Sequence, residues 1–275
     1  MIEFRCRRVD RRNGNSPIVS DKELDEFAHN VLEDYKPKLL KEPNKIRYEH
    51  FIESYLGANL EYHDIYNEDP DRPIWGATAF NDEELRIFNR EKLCVSKITV
   101  TARTVILDNS IMESGKEGLA LFTGLHESGH VLIHPNVYDY HDPSEQILLF
   151  EDSQISPVVC CRRENIENFG CAGSRKRTPE EWREHHADYF AAAIAMPNKT
   201  FIPTVHQLLR ENGIYKGRVI IGIDEDNDYI AEDLLPLAIS ELYGVSKKAA
   251  FVKLKKSGFV VDRRTYECQS AQLTI

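Results

Sequence analysis

Two histidines four residues apart, His126 and His130, lie in a largely apolar stretch, residues 119–133, that ends just before Pro135. That pattern predicts a helix over 116–134. On it the two side chains stand one turn apart and about 40° around the axis from each other. Both imidazoles then reach one cation, and Glu127 beside the first is left to handle the proton of an attacking water. Gly129 costs about 1 kcal/mol against alanine inside a helix, so a close approach by another element is expected there.

Some fifty residues on, Thr178-Pro179-Glu180-Glu181 reads as an N-cap, a first-turn proline and a capping-box glutamate. The helix that follows carries Glu184 and Asp188 one turn apart and stops near Pro197. Such a pair ordinarily marks a solvated charged face. Beside the upstream motif it suits a third metal ligand, Glu184, backed by a carboxylate, Asp188, that fixes the tautomer of a ligating histidine. His185 and His186 are the rival ligands. His134, a turn beyond His130, lies too far along a straight helix to share the metal and reads as a helix-end residue or one that backs a ligand. The small residues Ala191, Ala192, Ala193 and Ala195 give the second helix a narrow face for packing on the first.

The rest of the chain predicts a mixed α+β fold. Ser20 and Glu23 form a capping-box pattern before Leu24, Phe27, Ala28, Val31 and Leu32 at helical spacing. A shorter helix is expected over 46–56, ending at Gly57. Strands are expected at 60–65, 74–80, 85–89 and 98–107, the last rich in β-branched residues. Residues 136–177 read as a long irregular insertion between the two metal helices. A helix near 200–210, a hairpin-like segment at 218–223 turning through Asp224-Glu-Asp-Asn-Asp228, and helices at 234–242 and 247–256 complete the chain. The acidic turn mimics the start of a calcium loop, but Tyr229 stands where glycine is required.

A net charge of −10 argues against a whole surface that grips nucleic acid. Two local basic patches remain, Arg5, Arg7, Arg8, Arg11 and Arg12, and Lys247, Lys248, Lys253, Lys255 and Lys256. No apolar run is long enough to span a bilayer, and the basic N-terminus lacks the apolar stretch of a signal peptide, so a cytoplasmic protein is expected, with no membrane partner. Cys160, Cys161 and Cys171 form no Cys-x-x-Cys pair and read as ordinary thiols.

With these residues in view, the chain resembles the ImmA/IrrE family of metallo-endopeptidases across about residues 20–258. Leu121-Phe-Thr-Gly-Leu-His-Glu-Ser-Gly-His-Val-Leu-Ile-His134 is similar to the family's Phe-Thr-x-x-His-Glu-x-x-His-x-x-x-His core, and Thr104-Val-Ile-Leu-Asp108 precedes it as in the family. Glu184-His-His-Ala-Asp-Tyr-Phe-Ala-Ala-Ala-Ile-Ala-Met-Pro197 is similar to the family's second helix, with Asp188 where asparagine is common. The resemblance implies His126, His130 and Glu184 as ligands and Glu127 as catalytic acid/base. It implies a zincin-like domain over 1–197, with a small antiparallel sheet packed on the motif helix, and a helical segment over 198–275. It also implies a protein substrate, a helix-turn-helix repressor.

The chemistry expected is hydrolysis assisted by one Zn²⁺, with Mn²⁺ or Fe²⁺ also suited to two imidazoles and a carboxylate. A second group to stabilise the transition state is usual, and Tyr138, Tyr140, His141 and His186 are the candidates. The competing readings are a regulator that binds a partner without cutting it and a DNA-binding regulator. The second rests on 239–256, whose glycine turn, capping Ser246 and basic second helix have a helix-turn-helix cadence. A packing or docking role for that segment is favoured, because Ala249, Ala250, Val252 and Leu254 leave little surface free.

Overall fold

The computed structural model describes residues 1–10, 16–69, 71, 73–138, 158–162 and 177–272. It is a mixed α+β chain. After a short antiparallel pair, β1 (Val9–Asp10) and β2 (Ser16–Pro17), helix α1 (Asp21–Tyr35) opens on the expected capping box. The Ser20 hydroxyl accepts from the Glu23 amide, and the Glu23 carboxylate accepts from the Ser20 amide at 2.7 Å. Its apolar stripe, Leu24, Phe27, Ala28, Val31 and Leu32, is buried. A helical turn, α2 (Tyr48–His50), widens into a π-helical turn over Phe51–Tyr55 and stops at Gly57, whose φ of +62° suits a residue without Cβ.

Strands β3 (Asn59–His63), β4 (Ile74–Ala79), β7 (Thr104–Asp108) and β8 (Val158–Arg162) form one sheet in the order β3-β7-β4-β8. Its pairing corrects the expectation of an antiparallel sheet: β3 runs parallel to β7, and only the β7–β4 and β4–β8 pairs are antiparallel. The expected strand over 98–107 is two strands. β5 (Glu83–Asn89) and β6 (Cys94–Val100) make a separate hairpin, and the chain turns at Arg103, φ +60°, before β7. The Asp82 carboxylate accepting from the Ala102 amide and the Arg103 guanidinium donating to the Leu56 carbonyl hold that corner. Residues 136–177 are likewise not irregular throughout, because β8 supplies an edge of the sheet.

Helix α3 (Glu117–Ile133) is buried along nearly its whole length, from Ala120 onward, between the sheet, α2 and α5 (Pro179–Ala195). Two glycines permit this. A Cβ on Gly124 would stand 2.6 Å from the Tyr48 ring, and one on Gly129 would stand 3.0 Å from Ala187 Cα in α5. Helix α3 stops just before Pro135, as expected, and the proline starts a separate turn, α4 (Pro135–Tyr138).

Beyond α5 come α6 (Asn198–Glu211), β9 (Val219–Ile221), α7 (Glu225–Tyr229), α8 (Leu235–Tyr243), α9 (Lys247–Lys256), β10 (Val260–Asp262) and α10 (Arg263–Gln272). The 218–223 segment is not a hairpin: β9 pairs in parallel with β10, and Asp224 caps α7, its carboxylate accepting from the Asn227 amide at 2.8 Å. The α8–α9 corner turns at Gly244, φ +73°, and is packed onto α3, where a Cβ on Gly118 would meet the Ser246 amide nitrogen at 2.5 Å. A single apolar cluster joins Leu32, Leu125 and Phe190 to Phe201, Leu235, Tyr243 and Leu254, and so crosses the boundary expected at 197. No described helix is long and apolar enough to cross a membrane.

Candidate metal centre

The close packing of α3 on α5 brings His126, His130 and Glu184 together. The two Nε2 atoms are 3.1 Å apart. Glu184 reaches both rings, with Oε2 3.3 Å from His126 Nε2 and Oε1 3.4 Å from His130 Nε2. Donors about 2.0–2.1 Å from a tetrahedral ion lie about 3.3–3.4 Å from one another, so the spacing and the donor types fit one divalent metal. Burial alone would raise the Glu184 pKa; the adjacent His130 and His126 outweigh it and hold the carboxyl well below its usual range.

Each histidine is held from behind. The His126 Nδ1 lies 2.8 Å from Asp188 Oδ1, one turn beyond Glu184 on α5. With Nε2 facing the donor cluster, Nδ1–H donates to that carboxylate and fixes the tautomer. Burial raises the Asp188 pKa, and His126 opposes the rise. His130 Nδ1 lies 3.1 Å from His134 Nδ1, and His134 Nε2 lies 3.4 Å from His186 Nδ1. Burial lowers all three of these imidazoles, His186 to about 4, which favours the neutral forms that such a chain of donors and acceptors requires. His134 is thus a backing residue of His130. His186, only 2% exposed, stands behind His134 on the Nδ1 side of His130, away from the donor cluster.

Glu127 lies outside the three-donor group. Its Oε2 accepts the Thr78 hydroxyl of β4 at 2.6 Å, while Oε1 is buried and has no hydrogen-bond partner among the described residues. Burial pushes its pKa up to about 8, against the pull of His126 and of the Thr78 hydrogen bond. The side chain fits there only because β4 has glycine at 76, where a Cβ would fall 2.8 Å from Oε1. Thr78 and Gly76 were not singled out from the sequence. A glycine followed two residues on by a threonine, within a strand of otherwise apolar residues, was the available sign of a close approach.

Tyr138 belongs to α4, but its side chain is not among those described, and Tyr140, His141 and Cys171 lie outside the described residues. Cys160 and Cys161 have backbone positions in β8. His185 points away from the cluster, its Nε2 2.8 Å from Asp21 Oδ1 of α1. In the second basic patch, Lys247 and Lys255 pair with Asp233 and Asp262, and Lys253 is buried. No protein-family model matches the chain, and no curated protein matches it.

Proposed function

We propose that the chain is a zinc-dependent endopeptidase of the ImmA/IrrE type, with a zincin-like arrangement of α3 and α5. One observation carries this reading: a donor set of two buried histidines and one half-buried carboxylate at tetrahedral spacing, with a second carboxylate beside it that, among the described residues, joins neither the donors nor any ion pair. Zinc bound by His126, His130 and Glu184 would supply Lewis acidity at a scissile carbonyl and lower the pKa of an attacking water towards about 7.

The chain's own residues account for the remaining chemistry. Thr78 anchors Glu127 through Oε2 and leaves Oε1 to take the proton of the attacking water and return it to the leaving amine. Asp188 and His134 keep the two imidazoles turned with Nε2 toward the metal. The substrate class is a protein, a helix-turn-helix repressor in the family's manner. An intact Glu127 has no use in a regulator that only binds.

Incubating a co-encoded repressor with wild type and with Glu127→Gln tests the assignment. Glutamine keeps the shape but accepts no proton, so cleavage should fall by about 10²–10⁴-fold. Equal cleavage by both proteins would end the proposal.

A further inference from the structure

A cavity of about 440 Å³ lies where the start of α1, the outer face of α5 and the end of α9 meet. The ionisable side chains on its wall are Asp21, Arg177, His185, Lys253 and Lys256. Three of these, Arg177, Lys253 and Lys256, are basic side chains, and the one carboxylate, Asp21, lies 2.8 Å from His185 Nε2. The surplus is positive in a chain whose net charge is −10.

The decisive group is Lys253. It is 6% exposed, and among the described residues its ammonium makes no hydrogen bond or ion pair. Its one described polar contact is the face of Phe201, 5.6 Å from the ring centre, worth about 0.5–2 kcal/mol at most. Burying an ammonium costs more than that unless an anion meets it. Asp25 is near enough to favour the charged form, but its Oδ2 already accepts from the Tyr189 hydroxyl at 2.8 Å and the Asn198 amide at 3.0 Å. Lys253 lines the cavity together with the further basic side chains Arg177 and Lys256.

We infer that this cavity is an anion site in which Lys253, Lys256 and Arg177 receive the phosphate group of a small phosphorylated molecule. The volume falls in the range of small-molecule pockets, roughly 300–1,000 Å³. The charge required of the ligand is opposite to that of the ammonium lining the cavity. Burial pushes the Lys253 pKa down to about 8, and a bound anion would reverse that shift. The site is separate from the metal centre and stands whether or not the chain is a peptidase. It shares α5 with Glu184, whose neighbour His185 forms part of its wall.

Calorimetric titration of the full chain with inorganic phosphate, at constant ionic strength in chloride, provides the test, with malonate as the carboxylate counterpart. Wild type should bind phosphate with a Kd below about 1 mM, and more tightly than malonate. Lys253→Met, which keeps the length and apolar stem, should weaken phosphate binding at least tenfold, and Lys256→Ala should also weaken it. His130→Ala, which disrupts the metal centre, should leave phosphate binding unchanged. Absence of phosphate binding by wild type, or unaltered binding by Lys253→Met, would overturn the site. Loss of binding in His130→Ala would place the anion at the metal centre instead, and tighter malonate binding would overturn the phosphate assignment.

Discussion

At the scale of single residues, each histidine of the centre has a partner behind it, His126 the carboxylate of Asp188 on α5 and His130 the ring of His134 at the end of its own helix. Asp188 is the clearest case, since its Oδ1 sits 2.8 Å from the ring nitrogen of His126 opposite the one that faces the donor cluster. In Asp188→Asn the hydrogen bond can persist, but the negative charge that raises imidazole basicity is gone. Zinc affinity should fall by about 10–100-fold, measured by competition with a chromophoric chelator. An unchanged affinity would mean that Asp188 only fills space. Thr78 has a matching role for Glu127, and neither it nor Gly76 stood out in the sequence, because the strand that carries them is some fifty residues from the motif.

At the scale of elements, the centre depends on how closely α3 approaches α5. Gly129→Ala would place a methyl 3.0 Å from the Ala187 backbone and push the two helices apart. We expect a stability loss of about 1–3 kcal/mol in chemical denaturation and weaker metal binding, because Glu184 rides on the displaced helix. The helices themselves were legible in the sequence. Capping boxes at Ser20 and Thr178, the apolar run before His126 and the i, i+4 spacing of Glu184 and Asp188 are local signals, and each is realised in the structure.

What escaped was non-local. Parallel pairing of β3 with β7, and of β9 with β10, joins segments more than forty residues apart in the first case and about forty in the second, and no local pattern encodes such partners. The break at Arg103 was hidden because 98–107 is β-branched on both sides of the corner. The edge strand β8 was missed because its flanking sequence is polar and irregular in pattern. Asp224 was read as a turn residue, and its capping of α7 uses the same short carboxylate chemistry.

At the scale of the whole molecule, one apolar cluster runs through both the part that carries the donor cluster and the C-terminal helices, so α8 and α9 are structural partners of α3. The cost of Lys253 is therefore carried by the entire fold. Burial lowers its pKa from 10.5 to about 8, so between those values the unfolded chain keeps a proton that the folded chain has released. Its contribution makes stability rise with pH from about 8 to 10.5, with the full penalty present below about 8. Lys253→Met should be more stable than wild type at neutral pH without added anion, by on the order of 3 kcal/mol. The gap should close as pH climbs through that window, as read from denaturant midpoints. A gap that stays constant with pH would show that the lysine is not desolvated in the folded chain.

The claim on which the rest depends is that His126, His130 and Glu184 hold one metal ion. The most direct measurement is the metal content of the purified full chain, after zinc loading and removal of loosely held ions, for wild type and for His130→Ala. The expected result is one zinc per wild-type chain and a near-complete loss in the variant, with the helical circular dichroism signal retained. Equal zinc in both proteins, or none in wild type, would contradict the metal centre described above.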